Sequence, residues 1–242
     1  MPRHILITGA AHRLGREIAL SFAEPGARIA VHHHSSDPSD TLCELRKRGA
    51  EAEAFQADLR SPQDVEQLIA DSADFLGEMD SLVASAAVFR RTPWQDVSED
   101  DWDFHMQGNL KATFLLLRAA APRMADGGAI VTIADWSGLR PYRDYLPYCV
   151  SKAGVIALSQ ALAQEVAPRV RVNCICPGTV LPPENADAAK LAKIANATPL
   201  GRIGSPADIA NAVHFLIEGT SFATGSVLAI DGGRLIANQG LY

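Results

Sequence analysis

Tyr148 and Lys152 stand four residues apart in Leu146-Pro147-Tyr148-Cys149-Val150-Ser151-Lys152, at the head of an Ala-rich run. A helix there sets a phenol and an ammonium on one face. A phenol ionises at about pH 10, too high for ready proton exchange at neutral pH, and a nearby cation favours its phenolate. Tyr148 is therefore a candidate general acid/base with Lys152 as its partner. Tyr-x-x-x-Lys is also an ordinary pairing on helix surfaces, so the chemistry depends on what the rest of the chain brings beside it.

A second chemical stretch opens the chain. His4 to Thr8 reads as a buried strand, Gly9-Ala10-Ala11-His12-Arg13-Leu14-Gly15 as a turn, and about Leu14 to Ala23 as a helix. Such a turn leaves amide N–H groups at a helix N-terminus, where the macrodipole favours a pyrophosphate. Gly9 permits the tight turn, and Gly15 lets the helix approach the sheet or a cofactor closely. Arg13 occupies a place where a further glycine is expected, and adds a fixed charge and five donors. The second strand, Arg28 to His32, ends in His32-His33-His34-Ser35-Ser36. An Asp or Glu there would hold the ribose 2'-OH of NAD, whereas His33, His34, Ser35, Ser36 and Arg13 can donate to the 2'-phosphate of NADP. Adjacent strand residues point to opposite faces, so the three histidines do not read as a metal site.

These residues need elements to hold them. A helix over Ser39 to Arg48, a strand Ala52 to Gln56, a helix Pro62 to Leu76 and a strand Ser81 to Ser85 continue an alternation that means a parallel sheet. Asp58 follows the third strand, where it can accept from an adenine amino group or cap the helix starting near Ser61. Ala84-Ser85-Ala86-Ala87-Val88-Phe89 follows the fourth, with small residues for close approach of a flat ring and Phe89 to stack on one, or to pack in the core. Asp100 to Met124 reads as one long amphipathic helix with Asn109 in its middle, either bonded inward or turned to solvent. A fifth strand, Gly128 to Ala134, ends at Asp135-Trp136. The Tyr148/Lys152 helix, a sixth strand Val170 to Cys176, the turn Pro177-Gly178, a helix near Pro206 to Ile217 and a strand Ser226 to Ile230 complete seven strands. Thr179 to Pro199, with a helical patch around Ala186 to Ile194, reads as a lid over a site.

Composition excludes other classes. The 242 residues are 48% hydrophobic and 21% charged, with no linker or repeat, which favours a single domain spanning 1–242. A net charge of -6 without a Lys/Arg-rich stretch argues against nucleic-acid or anionic-membrane partners and for a small molecule. Cys43, Cys149, Cys174 and Cys176 have no zinc spacing, so reduced thiols in a cytoplasm are the expectation. No run approaches the ~18 uninterrupted apolar residues of a membrane span.

Thr8-Gly9 to Gly15, Asp58-Leu59, Asn109, Tyr148-x-x-x-Lys152, Pro177-Gly178 and Ile230-Asp231-Gly232-Gly233, in this order, resemble the classical short-chain dehydrogenases/reductases over essentially the whole chain. The resemblance implies an α/β fold, a doubly wound Rossmann sheet of seven mostly parallel strands with helices on both faces, hydride transfer with NAD(P)(H), and a homotetramer joined partly through the helices of Asn109 and Tyr148. It implies that Tyr148 donates the proton, that Lys152 binds the nicotinamide ribose and lowers the Tyr148 pKa, and that Asn109 helps hold a water relay. By the same resemblance Gly9, His12, Arg13, Leu14, Gly15, Asp58, Leu59, Ser85, Ala86, Pro177, Gly178 and Val180 line the cofactor.

Two departures resemble the pteridine reductases and the bacterial dihydromonapterin and dihydrofolate reductases. Asp135 stands thirteen residues before Tyr148 where the family has serine, and Arg13 stands in the glycine turn. Phe89 falls where their pterin-stacking aromatic lies. This implies an NADPH-dependent reduction of a dihydropterin C=N bond from the pro-S face, with Tyr148 and Asp135 on the proton path and Arg13 and Phe89 positioning the ring. Against it, Ser85 and Ala87 replace a cofactor-contacting Asn and a pterin-contacting hydroxyl. Reduction of a carbonyl or 3-oxoacyl thioester is the alternative, and a cofactor-binding regulator without turnover a third. Carboxylate beside phenol should raise the pKa of one of them, opposing Lys152.

Overall fold

The computed structural model describes residues 2–182 and 186–237. Its strands are β1 (His4–Ile7), β2 (Arg28–His33), β3 (Glu51–Gln56), β4 (Met79–Ala84), β5 (Met124–Ile133), β6 (Val170–Pro177) and β7 (Val227–Ile230). They form one sheet in the order β3-β2-β1-β4-β5-β6-β7, every pairing parallel. Parallel strands need a crossover between them, and helices supply it on both faces.

Alternation along each strand explains the two layers. Ile5 and Ile7 face one core with Ile18 of α1 (Arg13–Ser21), Leu45 of α2 (Ser39–Lys47) and Ile209 and Val213 of α8 (Pro206–His214). Leu6 faces the other, with Leu68 and Ile69 of α3 (Pro62–Leu76) and Leu116 and Leu117 of α5 (Ala112–Ala120). Because both faces are covered, these strands read as continuous apolar runs, and each fully buried Ile or Leu contributes about 1.5–3 kcal/mol.

The helix expected over Asp100 to Met124 is four pieces. Ser98 and Asp101 form a capping box that starts α4 (Glu99–His105). A π-helical turn, Met106–Lys111, follows, then α5, then a 3-10 turn at Ala121–Arg123, and β5 begins at Met124. The C-terminal helix likewise ends in a π-helical turn, Phe215–Gly219. Tyr148 and Lys152 ride on α6 (Leu146–Val166), which has the length and composition of a span but is half buried within the fold. In the expected lid, α7 (Ala188–Asn196) is present and residues 183–185 lie outside the described residues.

Candidate active site

The strand order reverses its direction of growth between β1 and β4, and in open parallel sheets the crevice at the carboxyl ends there receives ligands. At those ends the chain places Thr8 and Gly9 after β1, His33 on β2, Ser85 after β4, Asp135 after β5 and Pro177 on β6. Thr8 Oγ1 accepts the amides of Ser85 and Ala86 at 3.0 and 3.1 Å, tying the turns after β1 and β4 together.

The turn is shaped by close packing of backbone on backbone. Gly9 has φ +66°, and a Cβ on it would lie 2.9 Å from the Cα of Ala86. Gly15 packs against this same turn, not against the sheet: a Cβ there would lie 2.3 Å from the Gly9 carbonyl oxygen. Arg13 adopts φ +54°, which explains why glycine is the expected residue; a side chain in this left-handed region costs about 1 kcal/mol or more. His12 precedes α1 at its N-cap, Leu14 packs against the core, and Leu59 and Val180 are core residues. Val180, expected at the cofactor, is thus buried among apolar side chains, 2.9 Å from a Cβ built on Gly204. Gly178 meets the Asp231 backbone, where a Cβ would approach to 2.7 Å.

At the end of β2 the histidines separate. His32 is buried, whereas the His34 side chain is 59% exposed and sits 4.0 Å from Asp58. Nδ1 of His33 is buried and finds no partner among the described residues. Ser35 and Ser36 follow on the surface side. Asp58 does not cap α3: Ser61 does, with Pro62 at the first turn. The Asp58 carboxylate is instead gripped by Arg60 at 2.7 and 2.9 Å, and this hydrogen bonding holds its pKa down to about 2. Arg60 was not singled out from sequence, although a guanidinium two residues past Asp58 was a readable signal.

Around the phenol, β5 and α6 converge. Tyr148 donates its hydroxyl to Asp135 Oδ2 at 3.2 Å, while Asp135 Oδ1 accepts the Ser137 amide at 2.8 Å. Lys152 is buried, donates to the Ile133 carbonyl at 3.0 Å, and lies 5.9 Å from the Tyr148 ring centre. Burial pushes the Asp135 carboxyl up and the Lys152 ammonium down. Burial first, then the charge of Asp135, holds the Tyr148 phenol well above its ordinary value. At this phenol, burial, with the charge of Asp135 adding to it, outweighs the lowering expected from Lys152.

Asn109 is not turned to solvent. It is 1% exposed, its Oδ1 accepts the Val88 amide at 2.8 Å, and its Nδ2 donates to the Val88 carbonyl and to Ser151 Oγ at 3.1 and 3.0 Å. Its side-chain amide thus ties the loop after β4 to α6, and its backbone carbonyl accepts the Thr113 hydroxyl at 2.7 Å. Two residues further along the same loop, buried His105 accepts the Arg90 amide at 3.2 Å. Between these two clamps Phe89 is presented, 59% exposed and not core, its ring stacked on Tyr145 at 4.8 Å and edge-on to Tyr148 at 4.7 Å. The Thr92 amide donates to the Asp144 carbonyl at 2.7 Å, and an Arg91–Asp144 ion pair closes this wall. His105 and Tyr145 were not found from sequence; Tyr145, three residues before Tyr148, carried the signal of a helix neighbour.

The arrangement sets a buried phenol beside the crevice at the carboxyl ends of β1 and β4. Comparison with known proteins agrees. Residues 9–234 match the family model described as Enoyl-(Acyl carrier protein) reductase. A (2S)-[(R)-hydroxy(phenyl)methyl]succinyl-CoA dehydrogenase subunit of Thauera aromatica is 34% identical over 241 residues, 96% of each chain. A 3-oxoacyl-[acyl-carrier-protein] reductase of Staphylococcus aureus is 31% identical over 242 residues, 96% of this chain and 98% of its own. Among solved structures, a dehydrogenase/reductase from Sinorhizobium meliloti 1021 superposes with a TM-score of 0.89 at 30% identity, over 95% of this chain and 94% of its own. The blue fluorescent protein from a metagenomic library, solved with NADPH, gives 0.88 at 29% identity, over 95% and 96%. Full-length kinship and the seven-stranded parallel sheet agree: the chain belongs to the short-chain dehydrogenase/reductase family and is one of its NAD(P)-linked oxidoreductases.

Proposed function

We propose that the protein is an NADP(H)-dependent reductase of a carbonyl group, with a 3-oxoacyl or related thioester as the substrate class. The observation that carries this reading is the buried Tyr148 hydroxyl, hydrogen-bonded to Asp135 at 3.2 Å, whose burial favours the protonated form that can give a proton to an oxygen that gains charge. Two relatives support the substrate class, being named for hydroxyacyl and oxoacyl thioesters. The chain's residues fit the cofactor: the Gly9 turn, held against Ala86, sits at the helix N-terminus beside the crevice, and the buried, unpartnered His33 Nδ1 and the non-acidic end of β2 suit a 2'-phosphate. NADPH, when bound, supplies the hydride. Tyr148 gives its proton to the substrate oxygen, and Lys152 beside it offsets the charge left on the phenol. Asp135, when protonated, can donate to the same oxygen, where a serine hydroxyl serves elsewhere in the family.

A dihydropterin C=N bond is the second reading. Asp135 and Phe89 favour it, since a carboxyl group pairs with ring N–H groups and an exposed ring stacks on a flat heterocycle. We also propose a homotetramer, to which exposed Leu146 and Val150 of α6 and Phe114 of α5 would contribute, a cytoplasmic location, and a lid role for 179–200.

The test is NADPH oxidation, followed by absorbance, with acetoacetyl thioester, dihydrobiopterin, dihydromonapterin and dihydrofolate in parallel. Turnover of the thioester supports the main reading. Turnover of a pterin alone replaces it with the second, and no turnover of either class sinks both.

A further inference from the structure

His32, 2% exposed at the end of β2, is the one member of the histidine triplet that the functional reading leaves without a role. Its Nδ1 lies 3.1 Å from the Gly9 amide, its carbonyl oxygen accepts the Ala10 amide at 3.0 Å, and its Nε2 lies 3.2 Å from the Ala57 carbonyl. An amide N–H only donates, so Nδ1 must be the bare nitrogen of a neutral ring, and Nε2 must carry the proton given to Ala57. Burial, which pushes the pKa of this imidazole down to about 4, agrees with a neutral ring.

We propose that the neutral ring of His32 is the positioning residue of the cofactor turn, fixing the Gly9–Arg13 backbone against the ends of β2 and β3. The geometry carries it. One residue grips two successive amides of the turn, from the ring and from its own carbonyl, and braces them against Ala57, next to Asp58. Gly15 presses on the Gly9 carbonyl from the helix side, so the turn is held from two sides. The amides left over for a phosphate are then presented at a depth that the imidazole sets. A ring that filled space alone would not need both nitrogens engaged.

The test uses the full-length protein at pH 7.5, with NADPH and NADH dissociation constants from nucleotide fluorescence and with kcat and KM where a substrate is in hand. His32→Phe keeps the bulk and removes the acceptor; His32→Asn restores an acceptor oxygen near the place of Nδ1. His32→Phe should weaken both cofactors about tenfold or more, as expected for a buried donor left unpaired, and raise the cofactor KM by a larger factor than it lowers kcat. His32→Asn should recover most of the affinity. Equal affinity in His32→Phe and wild type, or no recovery in His32→Asn, overturns the proposal. Should His32→Phe fail to fold, ring ¹⁵N spectra of the wild type decide. An imidazole neutral at pH 5 with its proton on Nε2 supports the clamp, and an Nδ1–H tautomer or a charged ring at pH 6 refutes it.

Discussion

Tyr148 and Asp135 share a single hydrogen bond of 3.2 Å, donated by the phenol, in a place where neither side chain is well solvated. A raised phenol pKa keeps the donor form through neutral pH and beyond, so reduction should not fall as pH rises toward 9. Oxidation of the alcohol needs the phenolate and should appear only at alkaline pH. Asp135→Ser removes the opposing carboxylate, so the alkaline limb of the kcat/KM profile should move down by about one pH unit or more, with ketone reduction preserved or raised and pterin reduction abolished. An unmoved limb would remove Asp135 from the account of the phenol.

Tyr148→Phe keeps the ring that packs on Phe89 and deletes the proton. Turnover should fall about 10²–10⁴-fold, while the NADPH dissociation constant changes little. Steady-state rates with a nucleotide titration separate the two; a variant that retains turnover would show that another group supplies the proton.

His32 makes stability depend on pH. Its folded pKa of about 4 lies below the ordinary imidazole value of 6.5, so the unfolded chain binds the proton more readily. Its contribution is fully present above pH 6.5 and is lost as pH falls through that window toward 4, to a total of about 3 kcal/mol. The charges of His33, His34 and Asp58 act on this ring, so the comparison is wild type against His32→Asn in urea melts at pH 7 and pH 4.5. The variant should show the smaller loss.

His33→Asp tests cofactor choice. A carboxylate at the end of β2 repels a 2'-phosphate and accepts from a ribose 2'-OH. The ratio of kcat/KM for NADPH to that for NADH should fall about tenfold or more. Equal KM values for the two cofactors in the wild type would contradict the NADP preference at once.

Much of this site was written in local pattern. Apolar runs gave the strands to within about two residues at most ends, because a sheet covered on both faces needs no polar alternation. Since ligands gather at the carboxyl ends of parallel strands, Gly9, His33, Asp135 and Tyr148 could be grouped before any coordinates. The contacts that stayed hidden depend on partners distant in sequence. Phe89 meets Tyr145 across a loop pairing, Asn109 reaches back to Val88, and which of three adjacent histidines faces inward depends on the pleat of β2 against Gly9 and Ala57. Arg13 shows the converse, a residue noticed for its charge whose unusual feature is its backbone. The division of the helix after Asp100 had no readable signal, since Gly108 and Asn109 weaken a helix without specifying how it adjusts.

The π-helical turn at Met106–Lys111 sets the phase between α4 and α5. A chain advances about 100° per residue around an α-helix, so accommodating one residue in a wider turn decides the angular offset between the segments on its two sides. Here α5 is anchored by buried Leu116 and Leu117, while Asn109 must face Val88 and His105 must face Arg90. Deleting exposed Lys111 removes no buried contact of its own, yet an ordinary helix closing across the gap would swing Asn109 and His105 about 100° off target. Such a protein should keep its helical circular dichroism and lose its turnover, a failure of angle and not of composition.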